Sequence, residues 1–319
     1  DQPLILDQQS LFWVSVPISS DKNNIHIKVT DSHQREVDLN FSMVKEKSGD
    51  QNKVINPNSY EEVKDISQFN FGKYYALIIG NNEYQSYPKL KTASNDARKV
   101  EKILREKYGF NTKLLIDASQ FEIVSQLNQY RYDLSENDNL LIYYAGHGEN
   151  VSEENEGFWI PVDGDKNNKK TWVSNQSLTE IIETMKSLHV IVIADSCYAG
   201  TLSAQGIPRS DLLETSSEKL SWYGVLSETK SRTVLTSGGV SPVYDSLSGG
   251  EHSMFAEEFL QVLSENNQVI EGYEIYKKII INVKRENKTL GQTPVYSPMK
   301  HAGHEAGEFI FQPKSFSES

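Results

Sequence analysis

From Lys73 onward, short continuous apolar runs alternate with amphipathic stretches. Strands buried on both faces read as unbroken hydrophobic segments, so this texture predicts an α/β domain, a mostly parallel sheet with helices on both faces. Residues 74–79, 112–116, 140–145, 189–194, 233–236 and 309–311 are the strand candidates and make the sheet six-stranded. Between the first two, Ala93, Ala97, Val100 and Leu104 recur at helical spacing and form one apolar stripe. Two later helices are expected to open on capping boxes, Ser119 with Glu122 and Ser177 with Glu180, each able to satisfy the orphan amides of a first turn. Apolar positions in 254–263 and 275–283 supply the last helices, the first of them opened by His252-Ser253, which caps it or shapes a cleft.

The first 70 residues follow another period. Ile25, Ile27 and Val29, then Val37, Leu39, Phe41 and Met43, alternate with polar positions, as does the stretch 11–17, with turn-forming Asp21-Lys22-Asn23-Asn24 and Asp31-Ser32-His33 between. This is the pattern of a small antiparallel β unit with one buried face. Residues 45–70 are polar and rich in Asn, Ser and Lys, as in a linker. The expected division is therefore a β-rich unit over 1–70 and an α/β domain over 71–319, with the former available for an intramolecular or partner contact.

Charge and composition narrow the function. A formal net charge of −12 leaves no positive field to recruit phosphate, which excludes broad nucleic-acid binding and favours a cationic partner. No apolar run reaches the ~18 residues needed to span a bilayer. The opening Asp1-Gln2-Pro3-Leu4 shows no secretory pattern and no initiator Met, so the chain reads as a trimmed or mature piece from which a targeting segment could have been removed; its location is left open, with a soluble, cytoplasmic protein favoured over the alternatives. A single cysteine rules out internal disulfides and a thiolate zinc cage. His301 and His304 lack the further ligands a zinc site needs, and no cofactor box is evident; Tyr143, Tyr144, Trp159 and Trp172 read as core and cleft walls.

Long polar segments at 149–170, 201–231 and 238–251 all follow strand C-terminal ends, the edge where open α/β sheets build their sites. There the strand 140–145 runs into Gly146-His147-Gly148, and the strand 189–194 into Asp195-Ser196-Cys197-Tyr198-Ala199-Gly200. If these strands are neighbours, their ends lie about 5 Å apart, close enough for the imidazole to activate the thiol. A lone cysteine is more often an inert buried group; a histidine flanked by glycines at the preceding strand end is what turns the reading toward a nucleophile.

Tyr-Tyr-Ala-Gly-His-Gly followed by Asp-Ser-Cys-Tyr-Ala-Gly, with fifty residues from His147 to Cys197, resembles the caspase-like (clan CD, C14) cysteine peptidases over about residues 73–312. The resemblance implies the caspase-hemoglobinase fold. It further implies a Cys197/His147 dyad with no required third acid, a thioester acyl-enzyme, and an oxyanion hole from the amides of Gly148 and Cys197. Caspases proper carry Gln-Ala-Cys-Arg-Gly at the nucleophile; here Asp195 stands two residues before it, as in metacaspases and paracaspases, which cleave after Arg or Lys. Asp96, in Asn95-Asp96 after the first strand, matches a second acid of that pocket, and Asp245 is a third candidate in the loop that follows the fifth strand. Asp96 is open to a second reading as charge complementing a helix N-terminus, and Asp245 as a solvated loop acid.

By the same resemblance, many metacaspases bind calcium near a Pro-Val-Asp segment. Pro161-Val162-Asp163-Gly164-Asp165 survives in part, but Val173-Ser174-Asn175 replaces the expected paired acids, so calcium independence and no metal site are expected. Arg209, Lys219, Lys230 and Arg232 are possible autoprocessing sites, with an uncut loop as the alternative. The expected function is an endopeptidase acting on protein or peptide substrates with a basic residue before the cut bond (P1). The rival is a catalytically silent scaffold or signalling module on the same fold.

Overall fold

The computed structural model describes residues 22–30, 36–44, 71–151, 156–196, 216–238, 251–286, 294–305 and 307–314, the first two segments and the ends of two helices (216–221, 282–286) as backbone only. Two compact units divide between Glu61 and Glu62. In the first, β1 (Lys22–Thr30) and β2 (Glu36–Val44) form an antiparallel pair. Its register sets Ile25 opposite Phe41, Ile27 opposite Leu39 and Val29 opposite Val37, so the alternating apolar positions meet one another. The stretch 11–17 lies outside the described residues.

The second unit begins with β3 (Lys73–Gly80), α1 (Ala93–Lys107), β4 (Asn111–Ile116), α2 (Gln120–Asp133) and β5 (Asp138–Ala145). A side sheet follows, β6 (Gly148–Val151) and β7 (Glu156–Trp159), closed by β8 (Val173–Ser174). Then come α3 (Asn175–Glu183), β9 (His189–Asp195), α4 (Ser216–Glu228), β10 (Ser231–Thr236), α5 (Met254–Glu265), β11 (Ile270–Glu271), α6 (Gly272–Glu286), β12 (Val295–Pro298) and β13 (Ile310–Phe311). The main sheet has the order β12-β10-β9-β5-β3-β4, parallel throughout except for β12.

Alternate residues of each central strand feed two cores. Ala76, Ile78, Leu141, Tyr143, Ile191 and Ile193 face the stripe of α1 (Ala93, Ala97, Val100, Leu104) together with α5 and α6. Leu77, Ile79, Leu140, Ile142, Val190 and Val192 face Ile123 and Leu127 of α2 and Leu178 and Ile182 of α3. A period of two in strands buried on both sides explains why their sequences read as unbroken apolar runs. At Gly80 an added Cβ would stand 2.5 Å from both the Ala93 carbonyl and the Ala97 methyl, so glycine lets α1 cross the end of β3 closely.

Four details differ from the sequence expectation. The sixth sheet strand is β12, not residues 309–311: it is short and ends in Pro298, a residue tolerated only at an edge, which hides it from a search for apolar runs. Ile310 and Phe311 pair instead with β11, and Phe309 and Phe311 pack with Tyr74, Tyr108 and Phe110. The polar stretch 149–170 contains β6 and β7, whose four-residue strands are too short to show a period. Ser174, not Ser177, caps α3: its side chain accepts from the Ser177 amide, while Glu180 bonds Gln176. By contrast, Ser119 and Glu122 form the expected capping box on α2.

Candidate active site

Strands β5 and β9 are direct neighbours, with Ala145 opposite Asp195. His147 and Cys197 each stand two residues beyond that paired step in sequence; Cys197 and Asp245 lie outside the described residues. The backbone beyond β5 is tightly held. The Gly146 amide donates to the Asp195 carbonyl (3.4 Å), the His147 amide donates to the Tyr84 hydroxyl (2.8 Å), and Ile160 donates to the His147 carbonyl (3.0 Å). The Tyr144 hydroxyl lies 2.7 Å from that same carbonyl, with its ring stacked on Trp159 at 4.4 Å. At Gly146 a Cβ would come within 2.5 Å of the Tyr84 hydroxyl, so this glycine is what admits the two tyrosine hydroxyls.

Among the described residues the His147 ring has one hydrogen-bonding partner. Its Nε2 lies 2.8 Å from the Pro88 carbonyl, and because a carbonyl only accepts, Nε2 is the protonated nitrogen and Nδ1 is left for proton exchange. Tyr84 and Tyr87 flank the ring at 4.6 and 5.6 Å. Their loop is itself tied down. The amides of Asn82 and Glu83 donate to Asp117 Oδ1 (2.7 and 2.9 Å), Gln85 donates to the Val162 carbonyl (2.9 Å), and the Asn82 side chain accepts from Ser94 at the start of α1 (3.1 Å).

Gly148 opens β6. The bond from Ile160 to His147 makes that the hydrogen-bonded step of the antiparallel ladder, so the next pair, Gly148 with Trp159, is a non-bonded one. The Gly148 amide therefore turns away from β7, as an oxyanion-hole donor has to.

Asp96 and Asp195, from α1 and β9, are brought together at the start of α5. The Ser253 amide donates to Asp96 Oδ2 (3.2 Å), and its hydroxyl donates to Asp195 while accepting from the Ala256 amide (3.0 Å) as the helix cap. His252 Nδ1 donates to Asp96 Oδ1 at 2.6 Å. Both carboxylates are buried, Asp96 completely. Burial, then the charge of Asp195, push the Asp96 carboxyl up to about 7. Burial and the charges of the two aspartates raise the Tyr143 phenol as well. The helix-terminus reading of Asp96 stays open beside the pocket reading: it lies in the first turn of α1 and also accepts from the capping residue of α5.

The surviving calcium-type residues make bonds within the protein. Asp163 Oδ1 accepts from the Gln120 amide and Asp165 Oδ1 from the Asn167 amide, both at 2.9 Å, Val173 is buried, and the Ser174 hydroxyl caps α3. Among the described residues no group of three or more His, Cys, Asp or Glu side chains could hold a metal ion. His304 Nδ1 accepts from the Arg232 amide (3.1 Å). Arg232 is no cleavage site in the folded chain: it is fully buried, and its guanidinium donates to the carbonyls of Met185, Ser187, Leu188 and Ser231. Lys219 lies within α4, Lys230 has its carbonyl bonded by Glu305 and Gly307, and Arg209 lies outside the described residues. Among the described residues no helix is long and apolar enough to cross a membrane.

Tyr84 and Pro88 had no signature of their own in the sequence; Ser253 stood at the expected start of a helix, which it caps, but its bonds to the two aspartates were not legible. Only the aromatic pair Tyr84 and Tyr87 in an otherwise polar loop after a strand hints at a wall there. Tyr84→Phe, which leaves the His147 amide without its acceptor, is expected to lower stability by about 1–3 kcal/mol. If a peptidase reaction runs at this site, kcat should fall about tenfold with little change in KM, because the loss is one of imidazole placement.

A parallel α/β sheet whose adjacent central strand ends carry a glycine-flanked histidine and an Asp-Ser-Cys segment is the framework of caspase-like proteins. The caspase domain model of peptidase family C14 matches residues 73–302, and the chain belongs to that family. It is 24% identical over 171 residues to human mucosa-associated lymphoid tissue lymphoma translocation protein 1, covering 53% of this chain and 20% of that protein. To Metacaspase-6 of Arabidopsis thaliana it is 29% identical over 146 residues, covering 40% of this chain and 38% of the relative. The chain thus spans a fifth of the first relative and under two fifths of the second. The crystal structure of protein GSU0716 from Geobacter sulfurreducens shares the fold, with a TM-score of 0.50 at 18% identity over 70% of this chain and 92% of that one.

Proposed function

We propose that this protein is a cysteine endopeptidase that cleaves after Arg, and secondarily Lys, with Cys197 as nucleophile and His147 as its proton-transfer partner. The observation that carries the specificity is the meeting of Asp96 and Asp195 around Ser253, at the sheet edge that also bears His147. Paired carboxylates favour a guanidinium through charge-assisted bonds and repel an acidic P1 side chain.

In this reading the Cys197 thiol passes its proton to His147 Nδ1, and the thiolate attacks the scissile carbonyl carbon while the Gly148 and Cys197 amides receive the charge gathering on oxygen. As the C–N bond breaks, His147 Nδ1 gives its proton to the leaving amine. Water, deprotonated by the same nitrogen, then opens the thioester, releasing the acid and the thiol. Pro88 holds Nε2, so a third acid is not needed to orient the ring. No metal is needed in this reading, whose steps use only Cys197, His147 and backbone amides. Autoprocessing, if the 201–231 loop is cut, falls to Arg209. Residues 1–70 are left for contacts with a partner or with a longer chain.

The test is hydrolysis of matched Arg, Lys and Asp reporter peptides, with and without a calcium chelator. Arg ahead of Lys and no cleavage after Asp, unchanged by the chelator, is the expected order. Hydrolysis of none of them, even after nicking at Arg209, would favour the scaffold.

A further inference from the structure

The acidic pair is not open to solvent: Asp96 has a side-chain exposure of 1%, and the group standing on it, His252, one of 25%. Three elements converge here. Asp96 comes from α1, Asp195 from β9 and Tyr143 from β5, with Glu251 and Glu257 adjacent on the segment of His252 itself. The Tyr143 hydroxyl is buried without a hydrogen-bond partner among the described residues, although its phenol senses both carboxylates. Acidic and hydroxyl oxygens thus gather at one buried place, and the most exposed donor to them is a nitrogen supplied by the protein itself.

We propose that His252 is an internal occupant of the basic-residue pocket, its Nδ1–H standing on Asp96 where the guanidinium of a P1 arginine binds, so that substrate must displace it. This rests on the reading of Asp96 and Asp195 as the P1 pocket. Asp96 Oδ1 accepts from His252 at 2.6 Å and Oδ2 from the Ser253 amide, so a guanidinium fork reaching both oxygens from the solvent side competes with the imidazole that stands there. The His252 side chain is a quarter exposed, and swinging the ring outward about its side-chain bonds leaves the Ser253 bonds to both aspartates in place. It is therefore a specificity-setting residue. It keeps a buried carboxylate satisfied in the free protein and sets a threshold that only a ligand able to replace its hydrogen bond passes. A pocket that is open only part of the time has its apparent affinity lowered by the open fraction.

Two measurements test this. His252→Asn, which shortens the donor and withdraws the ring, is expected to lower KM for an Arg reporter about tenfold, with the gain in KM and not in kcat. A raised KM would overturn the inference, since His252 would then be organising the pocket. The second measurement needs no turnover: the imidazole nitrogen resonances of His252 are followed by NMR in the Cys197→Ala protein as agmatine is added. Movement of the Nδ1 signal to the position of an unbonded ring, saturating with agmatine binding followed by calorimetry, supports displacement. Binding of agmatine with an unmoved His252 signal overturns this inference alone. Failure of agmatine to bind at all overturns both it and the basic-residue pocket beneath it.

Discussion

Cys197→Ala is expected to reduce kcat/KM for an Arg reporter by about 10⁴-fold or more, to the background of the assay, while leaving thermal unfolding within a degree or two. In the proposed mechanism the thiol carries the bond-forming electron pair, and an alanine methyl offers nothing in its place, so the expected loss is one of chemistry and not of binding. His147→Ala is expected to fall about 10²–10⁴-fold, the usual worth of a positioned proton-transfer group. The double variant should lose little beyond Cys197→Ala, because the two side chains act as a unit. Steady-state kinetics with active-site labelling by iodoacetamide checks all three. Survival of substantial hydrolysis in Cys197→Ala would place the reaction elsewhere.

The second large effect belongs to the acid pair. Asp195→Asn and Asp96→Asn are each expected to lower kcat/KM for the Arg reporter about 10²–10³-fold, because a substrate guanidinium is left facing an uncharged amide in a buried site. The pH profile separates them from mere loss of folding. In the wild-type protein Asp96 sits at about 7 because burial and the neighbouring charge of Asp195 hold its proton on. If Asp96 receives a P1 cation as proposed, that proton has to leave first, and kcat/KM is expected to rise with pH up to about 7. Removing the like charge in Asp195→Asn lets Asp96 ionise more readily and moves this acid limb to lower pH. An acid limb that stays put would mean that Asp96 does not report on substrate binding. Stability has the opposite slope: the folded-state carboxyl lies above its unfolded value, so its contribution is complete below about 4 and declines as pH rises to about 7.

The parts of the molecule legible in the sequence are those where a single segment carries its own signal. The stripe Ala93, Ala97, Val100, Leu104 is the buried face of α1, and the five parallel strands fall where the apolar runs lie. The adjacency of β5 and β9, on which the Cys-His reading depends, was a condition in the sequence and is a fact of the register. What stayed hidden is formed by pairs distant in the chain. Tyr84 meets His147 across 63 positions, and Ser253 meets Asp195 across 58, with nothing in either local pattern to announce it. Short edge elements such as β12 and β6 were hidden for a different reason. Four residues give too few alternations to register, and an edge strand is free to carry a proline.

Ser253 joins the two ends of this account. The hydroxyl that caps α5 also holds Asp195, and its amide holds Asp96, so the acids read here as selecting the substrate are also part of what starts a core helix. Swapping the pocket for one of another charge would therefore loosen α5, whose Phe255 and Phe259 lie in the main core. A lineage of this protein that drifts toward a new cleavage preference must rebuild the helix start at the same time. That ties its choice of substrate to its ability to fold, and makes stepwise reprogramming by single substitutions slow.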